Sequence, residues 1–164
     1  MIVKSVRGFK PMYGDDCFFA ENSVLIGDVI MGNNCSIWYS AVVRGDVNSI
    51  KIGDRVNIQD GVVIHGTYLK AKTEIGNDVS IGHNAIVHGC KIENSVLIGM
   101  GSIVMDNSII ESNSIVAAGS VVLENTHIKA GSIFAGVPAK KIKNVSNQVK
   151  KNEIERIASS YLKY

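Results

Sequence analysis

The stretch KIENSVLIGMGSIVMDNSIIESNSIVAAGSVVLENTHIKAGSIF, residues 91–134, repeats a unit of six residues. A large apolar residue recurs at every sixth position, and a small or β-branched residue stands two positions before each one. A unit of six residues is too short to contain a helix, but it suits a short strand followed by a sharp turn. The large residues of this column are Ile92, Ile98, Val104, Ile110, Val116, Val122, Ile128 and Phe134.

The same column extends towards the N-terminus as far as Ile26, with a few irregular steps that we interpret as insertions at corners. Glycine often follows the large residue, as at Gly53, which suits a corner that only a small or φ-permissive residue can take. Three units make one coil of a triangular prism, and stacked coils lie about 4.8 Å apart, the distance between hydrogen-bonded strands. The sequence therefore predicts an all-β fold, a parallel β-helix of about six coils over residues 20–137.

The two ends of the chain depart from the repeat. Residues 1–19 are expected to form an N-terminal cap. Residues 146–164 place Val149, Ile154 and Ala158 at amphipathic helical spacing, which predicts a C-terminal α-helix on the prism wall. The length of 164 residues suits a single domain.

The bulk composition excludes several classes of partner. The formal net charge is +2 and the basic residues are scattered, so we expect neither nucleic acid nor a membrane as a partner. The apolar runs are far too short to cross a bilayer, and we expect a soluble, cytoplasmic protein. The odd number of cysteines (Cys17, Cys35 and Cys90) lacks metal-site spacing and predicts reduced thiols.

Counting repeat units brings two of the four histidines together. The residues that precede Arg44, His65 and His88 occupy one corner column on successive coils, so these three side chains should stack along one edge. Two imidazoles that bind one tetrahedral zinc ion need nitrogen atoms only about 3.3 Å apart. Neighbouring coils can provide that distance, and we predict His65 and His88 as a ligand pair.

His83 belongs to a different corner, one prism face away from the pair, with Asp60 stacked one coil from it. A chain folded as one prism cannot easily turn His83 to the same metal ion. Three prisms around a threefold axis would solve this, because each contact sets one face against a different face of the next subunit. We therefore predict a homotrimer with metal sites at its interfaces, and we expect His127 to be a solvated surface residue.

Three motifs resemble a known family: VVRGDVNSIKIGDRVNIQDGVVIHG at 42–66, IGHNAIVHGC at 81–90 and AGVPAK at 135–140. Together they closely resemble the gamma-class carbonic anhydrases, a family of trimeric left-handed β-helices. The resemblance implies a left-handed coil and places the family's functional positions along this chain. Those positions are the metal ligands His65, His83 and His88, the interface residues Arg44, Asp46 and Asp60, and the active-site residues Gln59 and Asn57.

The activity implied by the resemblance is the reversible hydration of carbon dioxide to bicarbonate. Zinc held by three neutral imidazoles lowers the pKa of a bound water to about 7, which makes hydroxide available at neutral pH. Fe²⁺ and Co²⁺ accept the same three ligands. Gln59 is expected to orient the hydroxide. Tyr161 lies where relatives have a tyrosine in the terminal helix, and it either reaches the site or packs in the core.

The chain departs from the family's pattern where the proton leaves. The best-studied relatives carry glutamates in the loop after the first ligand, whereas here GTYLKAKTE, residues 66–74, holds Lys70 and Lys72, with Glu74 only at its end. Val47 stands where another glutamate follows the RGD motif. Fast turnover is therefore not expected.

Two other functions stay open at this point. One is an acetyl-CoA-dependent acyltransferase, because many hexapeptide-repeat proteins transfer acyl groups. The other is a non-catalytic trimer that binds a metal ion or bicarbonate, which the missing acidic loop favours.

Overall fold

The computed structural model describes residues 1–163 and consists of stacked parallel strands followed by a short helical segment. Most strands contain only two or three residues, as a six-residue unit requires. The strands are β1 Ile2–Lys4, β2 Met12–Tyr13, β3 Phe18–Phe19, β4 Val24–Met31, β5 Ser36–Ile37, β6 Val42–Ile52, β7 Asn57–Ile58, β8 Val63–His65, β9 Thr73–Ile75, β10 Ser80–Ile81, β11 Ile86–His88, β12 Lys91–Ile92, β13 Leu97–Ile98, β14 Ile103–Val104, β15 Ile109–Ile110, β16 Ile115–Val116, β17 Val121–Val122, β18 His127–Ile128, β19 Ser132–Ala135 and β20 Lys140–Asn144.

The strands form the three faces of a prism, which we name by what lies outside them. The apolar face contains β1, β8, β11, β14, β17 and the first halves of β4 and β6. The charged face contains β2, β9, β12, β15, β18 and the second halves of β4 and β6. The helix face contains β3, β5, β7, β10, β13, β16 and β19, with β20 antiparallel at its end.

The periodic column forms the core, as predicted. Ile98, Val104 and Val116 are completely buried, and equivalent members pair in register on successive coils, such as Ile98 with Val116. At the N-terminal end the prediction is wrong by one residue. Leu25 is buried and pairs with Val43, while Ile26 pairs with Arg44 and is only partly buried. The parallel register fixes which of two adjacent apolar residues faces inward.

Residues 1–19 do more than cap the prism. Strands β1, β2 and β3 pair in parallel with the strands of the following coil, so this segment is itself a coil. The structure therefore has about 7 turns rather than six.

The corner glycines are required by close stacking. A Cβ atom at Gly53 would lie 2.8 Å from the carbonyl carbon of Gly76 on the next coil, and φ at Gly53 is not positive. The left-handed backbone occurs two residues later, for example at Arg55 with φ of 55°. Of the two reasons that the sequence suggested for such a glycine, small size is therefore the relevant one at Gly53, whereas Gly27 also has a positive φ of 74°.

The C-terminal segment is helical, as predicted, but not a uniform α-helix. It comprises α1 Asn147–Val149, a π-helical stretch Lys150–Glu155, α2 Arg156–Ser160 and a 3-10 turn Tyr161–Lys163. Ile154 is buried with Ile115 and Ile133 of the helix face, which places the segment on the prism wall. The predicted end at Tyr164 lies outside the described residues. Within residues 1–163, no helix is long and apolar enough to cross a bilayer.

Candidate metal centre

His65 and His88 are neighbours on adjacent coils, as the repeat count predicted. They end strands β8 and β11, which pair in parallel with His65 opposite His88. The Nδ1 atom of His65 lies 3.2 Å from the Nε2 atom of His88. This separation agrees with the distance between two imidazole nitrogens on one tetrahedral zinc ion.

Each histidine of the pair presents its other nitrogen to a carboxylate. Asp46 Oδ1 is 2.9 Å from His65 Nε2, and Asp106 Oδ1 is 2.6 Å from His88 Nδ1. A carboxylate only accepts hydrogen bonds, so in the neutral rings these outer nitrogens carry the hydrogen. The two facing nitrogens, 3.2 Å apart, therefore keep lone pairs that a cation could accept. Such a donor set fits a divalent cation, and carboxylates behind ligand histidines are common in metal sites.

Asp46 also joins the pair to Arg44. Arg44 Nη1 donates to Asp46 Oδ2 at 2.5 Å. Burial alone would raise the pKa of Asp46, but the hydrogen bonds from His65 and Arg44 lower it below its ordinary value. The carboxylate therefore remains ionised behind the histidine pair. Asp60, which the resemblance names as an interface residue together with Arg44, contacts His83 within the chain. Contact between Arg44 and Asp60 across subunits would be a further expectation of the trimer.

His83 lies at the other edge of the apolar face, where the chain turns from β10 towards β11. Its Nδ1 atom is 2.9 Å from Asp60 Oδ2 on the preceding coil, as the stacking argument predicted. Both side chains are about two-fifths exposed, at 41% and 43%. This cluster is therefore accessible to a second molecule.

Gln59 and Asn57 lie next to Asp60 on the same coil. Gln59 Nε2 donates to Asn57 Oδ1 at 3.0 Å, and Asn57 Nδ2 donates to Ser80 Oγ at 2.7 Å. Both amides are buried. The chain of hydrogen bonds fixes the orientation of the Gln59 side chain.

Tyr161 belongs to the His83 side of the molecule. Its ring meets that of Trp38 edge-on at 5.3 Å, and it lines a cavity together with Asp60 and His83. Tyr161 is only partly buried and lies outside the core, so of the two positions that the sequence left open it has the one beside a predicted ligand.

The predicted site residues thus form two clusters on opposite edges of the apolar face. Arg44, Asp46, His65 and His88 form one, and Asn57, Gln59, Asp60, His83 and Tyr161 lie at the other. In residues 1–163 no three His, Cys, Asp or Glu side chains converge as a metal site. One chain brings together two of the three predicted ligands and leaves the third at a different corner.

Asp106 and Thr67 were missed by the sequence argument. Asp106 follows His88 by 18 residues, which is three repeat units, and this spacing could have indicated it. Thr67 Oγ1 donates to Asp106 Oδ2 at 2.6 Å from the loop that follows His65. Lys70 of that loop lies 3.5 Å from Asp106 and 3.3 Å from Glu124, so two carboxylates surround its ammonium group.

The other titratable groups that the sequence singled out lie apart from both clusters. His127 is exposed on the charged face, where its Nε2 atom is 2.6 Å from Glu111 Oε1. The three cysteines are free thiols. Burial raises the pKa of Cys35 and of Cys90 to about 12, so these two thiols are poor nucleophiles at neutral pH.

Comparisons with known proteins agree on the hexapeptide-repeat fold, and curated relatives that match most of the chain carry carbonic anhydrase names. Residues 89–124 match the family model described as bacterial transferase hexapeptide (six repeats). A Methanocaldococcus jannaschii protein named "Probable carbonic anhydrase" is 41% identical over 164 residues, covering 100% of this chain and 93% of that protein. "Gamma carbonic anhydrase 2, mitochondrial" of Arabidopsis thaliana is 40% identical over 160 residues, covering 94% of this chain. The chain spans only 56% of that plant protein's length.

A solved structure is similar along the whole chain. It is a hexapeptide transferase family protein from Anaplasma phagocytophilum, 36% identical, with a TM-score of 0.90. The match covers 99% of this chain and 95% of the other.

Proposed function

Because the chain belongs to the gamma-class carbonic anhydrase family, we propose that it catalyses the reversible hydration of carbon dioxide to bicarbonate. The reaction would take place at a metal centre shared between subunits of a homotrimer. The observation that supports this best is the 3.2 Å separation of His65 Nδ1 and His88 Nε2, with a carboxylate at the other nitrogen of each ring.

The metal would be held by His65 and His88 of one subunit and His83 of a neighbouring subunit. Zinc bound there would lower the pKa of a coordinated water to about 7 and supply the nucleophile, and Fe²⁺ or Co²⁺ accepts the same ligands. The clusters lie at opposite edges of the apolar face, so a threefold arrangement that set one edge against the opposite edge of the next subunit would bring them together.

The composition of the three prism faces supports such packing. The helix face is covered by the chain's own C-terminal segment. The charged face presents Lys51, Glu74 and Lys91 in register on successive coils. The apolar face instead presents an outward stripe of β-branched residues, and nothing in residues 1–163 is seen to cover it in the way that the helix covers its face. The stripe consists of Val24, Val42, Val63, Ile86, Ile103 and Val121, paired in register from coil to coil.

The chain's own residues then have distinct tasks. Gln59, held by Asn57, would orient the reacting oxygen by hydrogen bonding. Arg44 and Asp60 would complete the interface around the site. Tyr161 would bound the approach to it from the His83 cavity. Lys70 is already engaged by Asp106 and Glu124, which predicts slow proton release to buffer and modest turnover. A cytoplasmic location is part of the same proposal.

Stopped-flow measurement of carbon dioxide hydration tests this function. We expect activity in the zinc-loaded protein, its loss on treatment with a chelator and its recovery on adding zinc. His127→Ala should keep full activity, because His127 lies outside both clusters. The match to a transferase family model makes acetyl-CoA hydrolysis the necessary parallel assay. A protein that binds zinc but hydrates no carbon dioxide, or that hydrolyses acetyl-CoA regardless of chelator, would overturn the proposal.

A further inference from the structure

Asp106 is a buried carboxylate whose side chain contacts His88 of the histidine pair. It is 5% exposed and comes from the coil after His88. One oxygen, Oδ1, meets His88 Nδ1 at 2.6 Å, and the other, Oδ2, accepts from Thr67 at 2.6 Å. Lys70 lies 3.5 Å from the same Oδ2. Both oxygens are therefore held in place from separate segments of the chain.

The backbone beside His88 is shaped to admit this carboxylate. Gly89 has a φ of 56°, and a Cβ atom there would lie 2.3 Å from Asp106 Oδ1. A side chain at position 89 would displace the carboxylate from His88. The glycine that follows the predicted ligand thus allows the close approach.

We infer that Asp106, fixed by Thr67, is a positioning residue that holds His88 with its Nε2 lone pair directed at the metal position. This inference rests on the proposed function for its metal. His65 has an equivalent partner in Asp46, but that side chain is 24% exposed and is shared with Arg44, whereas the Asp106 side chain alone is only 6% exposed. A carboxylate also makes the ring it accepts from more basic and so strengthens the ligand.

The substitution Asp106→Asn keeps the size of the side chain and removes the charge. An amide oxygen facing His88 would be a weaker acceptor. An amide NH₂ facing it would favour the tautomer with hydrogen on Nε2, which removes the metal-directed lone pair. Either orientation lowers zinc affinity, by about 10- to 100-fold for a partner of this kind. Thr67→Val leaves the carboxylate charged but frees one oxygen, and it should have a smaller effect in the same direction.

Glu111→Gln is the matched control. Glu111 holds His127 at the same 2.6 Å distance, but on the charged face and away from the proposed ligands. Zinc affinity is measured by competition with a chromogenic chelator for all four proteins, and thermal unfolding verifies that each is folded. Wild-type affinity in Glu111→Gln with a loss in Asp106→Asn supports the inference. An Asp106→Asn affinity within threefold of wild type overturns it.

Nitrogen-15 NMR of the metal-free protein tests the inference without activity or metal. His88 should be in the Nδ1–H tautomer in wild type and should gain Nε2–H population in Asp106→Asn. A wild-type His88 that is not in the Nδ1–H tautomer overturns the inference, and so does a variant in which both the tautomer and the zinc affinity are unchanged. A protein that shows both the tautomer shift and the affinity loss but hydrates no carbon dioxide contradicts the proposed function alone.

Discussion

The separation of His83 from the histidine pair allows a test by mixing two inactive chains. The variant His83→Ala keeps the pair, and the double variant His65→Ala/His88→Ala keeps the lone histidine. Each variant alone should be metal-poor, because every site in its trimer lacks at least one ligand. In a mixed trimer, a site is intact where a His83→Ala chain supplies the pair and the next chain is the double variant. With equal amounts and random assembly, about one quarter of the sites meet both conditions.

The assay is zinc bound per trimer after the two variants are refolded together in equal amounts, compared with each variant refolded alone. Wild-type protein taken through the same procedure sets the full value. We expect recovery of about one quarter of that value. Ligation within a single chain predicts no recovery, since every chain would lack part of its own site. Zinc in the mixture no higher than the average of the separate variants would refute the shared site.

Three further predictions concern the prism itself. Val104→Asp places an unpaired carboxylate at a fully buried position and should lower the free energy of unfolding by about 3–5 kcal/mol. The control Leu123→Asp, at an exposed corner, should change the free energy of unfolding little. Equal denaturation midpoints for the two variants would contradict the assigned register. Ile86→Lys, in the middle of the apolar face, should give a folded monomer by light scattering and circular dichroism, and a persistent trimer would exclude this face as the interface. Hydrogen bonds, the most important of them from the Ala130 amide, lower the pKa of Glu111 from 4.5 to about 2. The stability that ionised Glu111 contributes is present above pH 4.5 and lost as the pH falls to about 2. Wild type should therefore lose more thermal stability than Glu111→Gln across that interval. Equal falls in the unfolding temperatures of the two proteins would contradict this prediction.

The repeat explains why so much of the core could be predicted. In stacked coils the strand pairing repeats every turn, so the apolar column in the sequence is also the core in space. The same count located His65 opposite His88, 23 residues away, because both end strands in one column. It also located His83 next to Asp60.

The parts that the sequence did not reveal depend on side-chain direction or on strands without the repeat. The N-terminal coil has strands of two or three residues separated by irregular turns, so no fixed period identifies it. Leu25 and Ile26 are equally apolar, and only strand register selects the one that faces inward. Asp106 stands three repeat units after His88, so its position could be counted, but whether its carboxylate reaches the ring depends on the backbone at Gly89. None of these follows from hydrophobic periodicity.

Strand β20 has a consequence for how whole prisms behave towards one another. A parallel β-helix ends in a layer of unpaired backbone groups, and such an edge is a template for adding further strands. Here β20 pairs antiparallel with β19 and forms the outermost strand of the helix face, with all five of its residues exposed. Its sequence, KKIKN, puts Lys140, Lys141 and Lys143 on that edge. Two molecules that met by their β20 edges would bring like charges together, so the strand that completes the stack also disfavours the pairing of two prisms at this end.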